Sequence, residues 1–84
     1  MKIKMYAMFD SAIGEYNRPV FFQTHGQAER SVRDEVARAD SELGKHPEDY
    51  ALFYIGEYDG ETAAIETVEP MCVVRCHELG VENG

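Results

Sequence analysis

Apolar and polar residues alternate from Lys2 to Asp10. Ile3, Met5, Ala7 and Phe9 fall on one side of an extended chain, and Lys2, Lys4, Tyr6 and Met8 on the other. A period of two predicts a strand whose first set faces a core. Tyr6 and Met8 make the second side partly apolar, which predicts a central strand or a covered face. Residues 10–19 then bring together Asp10, Ser11, Gly14, Asn17 and Pro19, a loop composition. Residues 20–23 make a short strand, with Pro19 at its start, where a missing N–H is tolerated.

The period changes to 3.6 over residues 24–44, the one helix this chain predicts. Ala28, Val32, Val36, Ala39 and Leu43 fall within an arc of about 80° on a helical wheel. Small residues dominate that stripe, so the helix should lie close to a sheet. Thr24 is the expected N-cap, with Gln27 as its capping-box partner. Gly44 is the expected C′ residue, with Pro47 close behind. Glu29–Arg33, Arg30–Asp34 and Asp34–Arg38 are spaced i,i+4 on the exposed side.

His46-Pro47-Glu48-Asp49 reads as a turn, and residues 50–58 form the densest strand signal in the chain. Ala51, Phe53, Ile55 and Glu57 alternate with Tyr50, Leu52, Tyr54 and Tyr58, which would put Tyr54 and Tyr58 on one face. Both faces are apolar, as in a central strand. Gly56 marks a bulge or a close backbone approach. Asp59-Gly60 signals a turn, residues 62–68 a returning hairpin strand, Pro70 a break, and residues 71–76 a last strand. The predicted fold is α+β: a small antiparallel sheet with a single amphipathic helix on one face, in the order β-β-α-β-β-β. Residues 1–79 form one domain, and residues 80–84 a loose C-terminal tail.

Composition narrows the function classes. At 84 residues the domain has a marginal core of its own, and oligomerisation is a common remedy. Because both faces of the central strand are apolar, a homodimer is the expected form. Sixteen acidic residues against eight basic ones give a net charge of −8, which opposes non-specific nucleic-acid binding. No apolar run reaches the ~18 residues of a membrane span, and no signal-peptide pattern opens the chain. The expected compartment is a reducing cytoplasm.

The chemistry-bearing residues form few constellations. Cys72 and Cys76 share one side of a strand but stand ~13 Å apart at ~3.3 Å per residue, too far for one zinc or a disulfide. They read as small buried apolar residues. His25 and His46 flank the helix as surface residues. Glu48 and Asp49 lack a third ligand spaced to join them, and no nucleophile–base pair or phosphate loop stands out. No enzyme activity, catalytic residue, metal or cofactor is expected. Arg30, Arg33 and Arg38 are interleaved with Glu29, Asp34 and Glu35 and read as a solvated helix face. The tyrosines are more informative. Tyr6 shares a face with Lys2 and Lys4, the combination that stacks bases and holds phosphates on a sheet. Core packing or a dimer interface also explains tyrosines on a sheet, and that reading outweighs stacking. If single-stranded DNA is bound, Lys2, Lys4 and Arg18 are the candidate phosphate contacts, and Tyr6 and Tyr54 the candidate stacking residues.

Two blocks carry a resemblance. One runs through Tyr6-Ala7-Met8-Phe9-Asp10-Ser11 and on through Tyr16, Pro19, Phe21, Phe22, Gly26, Ala28, Arg30 and Asp34. The other is Pro47-Glu48-Asp49-Tyr50-Ala51-Leu52-Phe53-Tyr54-Ile55-Gly56-Glu57-Tyr58-Asp59. Together they resemble the small nonstructural protein of gokushovirus-type microviruses, the ORF5 family of single-stranded DNA bacteriophages. The resemblance covers residues 1–60 and is carried mainly by the second block. It implies a protein made in the host cytoplasm, absent from the mature virion, and acting in single-stranded DNA replication and packaging, with DNA binding. It brings no catalytic motif. Replication or procapsid proteins of the phage are the alternative partners, engaged through the acidic surface without direct DNA contact.

Overall fold

Strand β1 (Lys2–Asp10) lies at the centre of an antiparallel sheet in a computed structural model that describes residues 1–79. On one side it pairs with two short strands, β2 (Glu15–Tyr16) and β3 (Val20–Phe22). On the other it pairs along its whole length with β4 (Tyr50–Asp59), which pairs in turn with β5 (Ile65–Arg75). The order across the sheet is β2-β1-β4-β5, with β3 also beside β1. The α+β class and the five antiparallel strands agree with the sequence pattern. The connectivity differs in two places. The loop before the helix contains β2, and the two strands expected around Pro70 are one.

Pro70 does not end β5 because β5 is an edge strand. Its outer side has no ladder to which a proline nitrogen would have to donate. Pro70 also falls where the β4–β5 register slips, between the Tyr54–Met71 and Gly56–Thr67 pairs. A missing N–H is least costly there.

The helix is shorter than its apolar stripe. Helix α1 (His25–Ala37) begins at Thr24, whose hydroxyl accepts from the Gln27 N–H at 3.1 Å. The Gln27 side chain reaches one residue further back than a capping box requires, accepting from the Gln23 N–H at 3.0 Å. After Ala37 the chain breaks, and a one-turn helix α2 (Glu42–Lys45) folds back over the end of α1. Buried Ser41 makes this break possible. Its hydroxyl donates to the Glu35 carbonyl at 2.6 Å and accepts from the Gly44 N–H at 2.9 Å, serving both helix ends. Gly44 therefore sits inside α2 rather than after a single long helix. A β-carbon there would stand 2.5 Å from the Arg38 carbonyl oxygen. Leu43 still reaches the core, whereas Ala39 is exposed. Of the expected ion pairs, Glu29–Arg33 forms at 3.0 Å, but Arg38 turns to Glu35 at 2.8 Å instead of Asp34.

Both helices cover the same sheet face. Ala28, Val32 and Val36 of α1 meet Tyr6, Leu52, Val74, Cys76 and Leu79, with Met8, Phe22, Leu43, Tyr50 and Tyr54 around them. The Tyr6–Met8 side of β1 therefore faces the helix, and the Ile3–Phe9 side faces away, the reverse of the sequence expectation. Leu79 closes the core through a 3₁₀ turn at Cys76–Glu78. The tail expected over residues 80–84 lies outside the described residues.

One irregularity decides where the β4 aromatics point. Met5 pairs with Gly56 but Tyr6 pairs with Tyr54, so Ile55 is an extra residue in β4. The bulge reverses the alternation, placing Tyr54 with Tyr6 and Tyr58 with Ile3 on opposite faces. The expected sharing of a face by Tyr54 and Tyr58 is thus overturned. Gly56 takes φ +151°, and a β-carbon on it would lie 2.2 Å from the Glu66 carbonyl oxygen. Gly56→Ala should therefore cost about 2 kcal/mol or more, as backbone strain and a steric clash combine. Urea unfolding should show a clearly lowered midpoint. A midpoint within error of the parent would mean that β5 moves aside freely.

Candidate nucleic-acid interface

Tyr6 points from the middle of β1 beneath the start of α1 and is fully buried, at 0% exposure. A buried phenol must find a partner. Its hydroxyl lies 2.7 Å from Nδ1 of His25. Burial pushes the Tyr6 pKa up, with a smaller contribution from Tyr54. The phenol therefore keeps its proton and is paired with the imidazole. The Thr24 cap sets His25 at the first helical position, directly over the strand. The His25 ring stands edge-on to Tyr6 at 5.6 Å and to Tyr54 at 5.2 Å, and Tyr6 and Tyr54 are 5.7 Å apart. Lys4 reaches the same place and donates to the Gln23 carbonyl at 3.4 Å.

Lys4, Tyr6 and Tyr54 are therefore brought together, and His25 joins them. Tyr6 cannot stack on a base, because no part of its ring meets solvent. Its role is to hold His25. Tyr54 is half-buried and His25 is exposed, so these two rings are the accessible ones. Lys2 is drawn away by Glu66, 3.4 Å from its Nζ, and that hydrogen bond is the main reason its pKa is raised. Arg18 stands apart, exposed in the loop between β2 and β3. It edges a groove of about 250 Å³ floored by Met8, Val20, Phe22, Val32 and Leu52. The sequence pointed to His25 only as a helix flank. Its place over Tyr6 depends on β3 pairing with β1, which puts Phe22 beside Lys4.

The face of the sheet away from the helices carries a second aromatic group. Phe9, Tyr16 and Phe53 form one knot, with ring centres 4.8 to 6.2 Å apart, and Phe21 and Tyr58 pair at 6.1 Å. Met5 and Ala7 lie between the two groups, with little exposure despite the open face. None of these five rings is among the five candidate DNA contacts read from the sequence. The β4 bulge is what sends Tyr58 to this side.

Two smaller constellations change as well. A third ligand type does approach Glu48 and Asp49. Donor atoms of His46, Glu48 and Asp49 lie within 4.8 Å of one another around the 3₁₀ turn Pro47–Asp49. Only proximity connects these three side chains to an ion, since such groups are common on solvated turns. Cys72 and Cys76 are free thiols on opposite faces, not on one. Cys72 pairs with Phe53 on the open face, while Cys76 is wholly buried under the helix. The extra residue Val73 reverses the alternation between them.

A family model described as Phage ORF5 protein matches residues 3–79. No curated protein and no solved structure matches the chain. The match extends through β5 and the final turn, beyond the residues that carry the resemblance in sequence. No described helix is long and apolar enough to cross a membrane.

Burial on the helix side also sets an alkaline limit. It pushes the Cys76 thiol up from 9.0 to about 11, and it raises Tyr6, Tyr50 and Tyr54 above 10.0. Above those ordinary values the unfolded chain releases protons first, so stability falls as pH rises. Stability should hold up to pH 9.0 and then decline, with Cys76 supplying about 2 kcal/mol of loss by pH 11. Chemical unfolding at stepped pH checks this. Cys76→Ala should start less stable but fall less steeply between those values, and an unchanged slope would refute the assignment.

Proposed function

Since the chain belongs to the phage ORF5 protein family, we propose that it is a non-enzymatic, nonstructural protein of a gokushovirus-type microvirus. It acts in the host cytoplasm in single-stranded DNA replication and packaging and contacts the single strand directly. The observation that carries this reading is the meeting of His25 and Tyr54 around Tyr6 at the start of α1, where Lys4 reaches the Gln23 carbonyl. The two accessible rings offer π-faces to bases. Lys4, the first-turn N–H groups of the helix and the exposed Arg18 offer positive charge to phosphates. Tyr6 acts by fixing the His25 ring, and Lys2 contributes little while Glu66 holds it.

A labelled oligothymidylate titrated by fluorescence anisotropy at low salt tests this reading. The parent should bind. Lys4→Ala with Arg18→Ala should weaken binding about tenfold and flatten the salt dependence, by roughly 0.7 in log–log slope per lost phosphate contact. No binding by the parent at low salt, where attraction is strongest, would overturn direct DNA contact.

A specific observation favours a second reading. The net charge is −8, and Glu57, Asp59 and Glu66 crowd Lys2. Such a surface suits a basic patch on a replication initiator or procapsid protein. Affinity capture from infected cells, with nuclease treatment, should then retain phage proteins. Loss of all of them after nuclease would eliminate the adaptor.

A further inference from the structure

The sheet face away from the helices is apolar, large and, among the described residues, open and almost free of charge. Register places Ile3, Met5, Ala7, Phe9, Phe53 and Tyr58 on it. Tyr16 and Phe21 extend it over the short strands, at 44% and 46% exposure, and Ile65 extends it over β5 at 60%. Soluble monomers seldom leave so continuous an apolar patch open. The carboxylates of Asp10, Glu15, Glu57, Asp59 and Glu66 all fall on the opposite face, by pairing with Tyr50, Asp10, Lys4, Lys2 and Glu57 respectively. Charge borders the open face at one end, where Arg75, His77, Glu48 and Asp49 surround a cleft of about 240 Å³ beside Phe9 and Phe53.

From this distribution we infer that the face is covered by a second copy of the same chain. Two observations choose that occupant. First, a chain of net charge −8 repels its own kind at most surfaces, and this face carries none of those five strand carboxylates, with Glu48 and Asp49 at its border balanced by Arg75 and His77. Among the described residues, a nucleic acid would find Arg75 and His77 there to neutralise its phosphates. Second, the area suffices. Nine residues of β1, ten of β4, eleven of β5 and five of β2 and β3 together, each covering ~3.3 by ~4.8 Å, give roughly 550 Å² per copy, so a pair buries about 1,100 Å², above the ~1,000 Å² a specific interface needs. In such a pair a two-fold axis in the interface, perpendicular to the strands, brings the Phe9–Tyr16–Phe53 knot toward the partner's Phe21 and Tyr58. The two sheets then stack ~10 Å apart, with the helices outside. The inference does not rest on the DNA reading, whose residues lie on the other face.

Sedimentation equilibrium of the full chain at micromolar concentration should give twice the 9.5 kDa monomer mass. Tyr16→Glu with Phe21→Glu changes two half-exposed rings and should weaken self-association at least about tenfold while circular dichroism stays unchanged. Val68→Glu on the sheet edge should leave it unaffected. In a mixed sample of isotope-labelled and unlabelled protein, filtered NOEs should connect the Phe53 and Tyr58 rings between copies, a measurement that needs no variant. A monomeric parent with no such NOEs overturns the inference. So does a dimer that persists in the double variant, or a monomer whose open-face variant loses oligothymidylate binding. A dimer that binds no DNA supports this inference and refutes only the DNA reading.

Discussion

The β1–β4 ladder with its single slip at Ile55 is the constraint from which the other surfaces follow. Up to Tyr54 the two strands alternate in phase, so Tyr50, Leu52 and Tyr54 lie with Met8 and Tyr6 under the helix. Beyond the slip the phase reverses. Tyr58 joins Ile3 on the open face, and Glu57 and Asp59 join Lys4 and Lys2. One extra residue thus separates a charged strip from an apolar one within a single strand. Only glycine fits beside the slip, because the Glu66 carbonyl occupies the space of a side chain.

Tyr6 connects that ladder to the helix. Its ring fills the core centre among Phe22, His25 and Tyr54, while its hydroxyl must be satisfied from above. His25 satisfies it because Thr24 stops the extended chain at that point. The same contact orients the imidazole, while the pairing of β1 with β3 brings Lys4 to the Gln23 carbonyl at the helix start. Packing and site geometry are therefore one arrangement, and disturbing Tyr6 for either purpose disturbs both.

Charge and aromatic character are sorted by face rather than mixed. The helix side carries Lys2, Lys4 and Arg18 together with most of the strand carboxylates, so its positive groups act locally against an acidic background. The open side carries five rings with hardly any charge. The proposed nucleic-acid contact falls on the first and the proposed self-association on the second. In a small domain whose own core is thin, covering the second face would contribute stability as well as assembly.

The sequence by itself determined the class of fold, the positions of β1, β3 and β4, the helix start at Thr24 and the special role of Gly56. Each follows from local period, capping or backbone freedom. It also determined the family, through a dense aromatic block that any register leaves intact. Only the tertiary structure decided which side of β1 the helix covers, since both sides are apolar enough to qualify. It likewise decided that Ser41 breaks the helix, that Pro70 is harmless on an edge, and that Cys72 and Cys76 part company at Val73. The candidate site was half legible. Lys4 and Tyr54 were chosen from their strand positions, but Tyr6 proved buried and His25 came from a distant segment. Alternation fixes which residues share a side only while the register holds. Bulges are set by pairing between strands, and that information is not local.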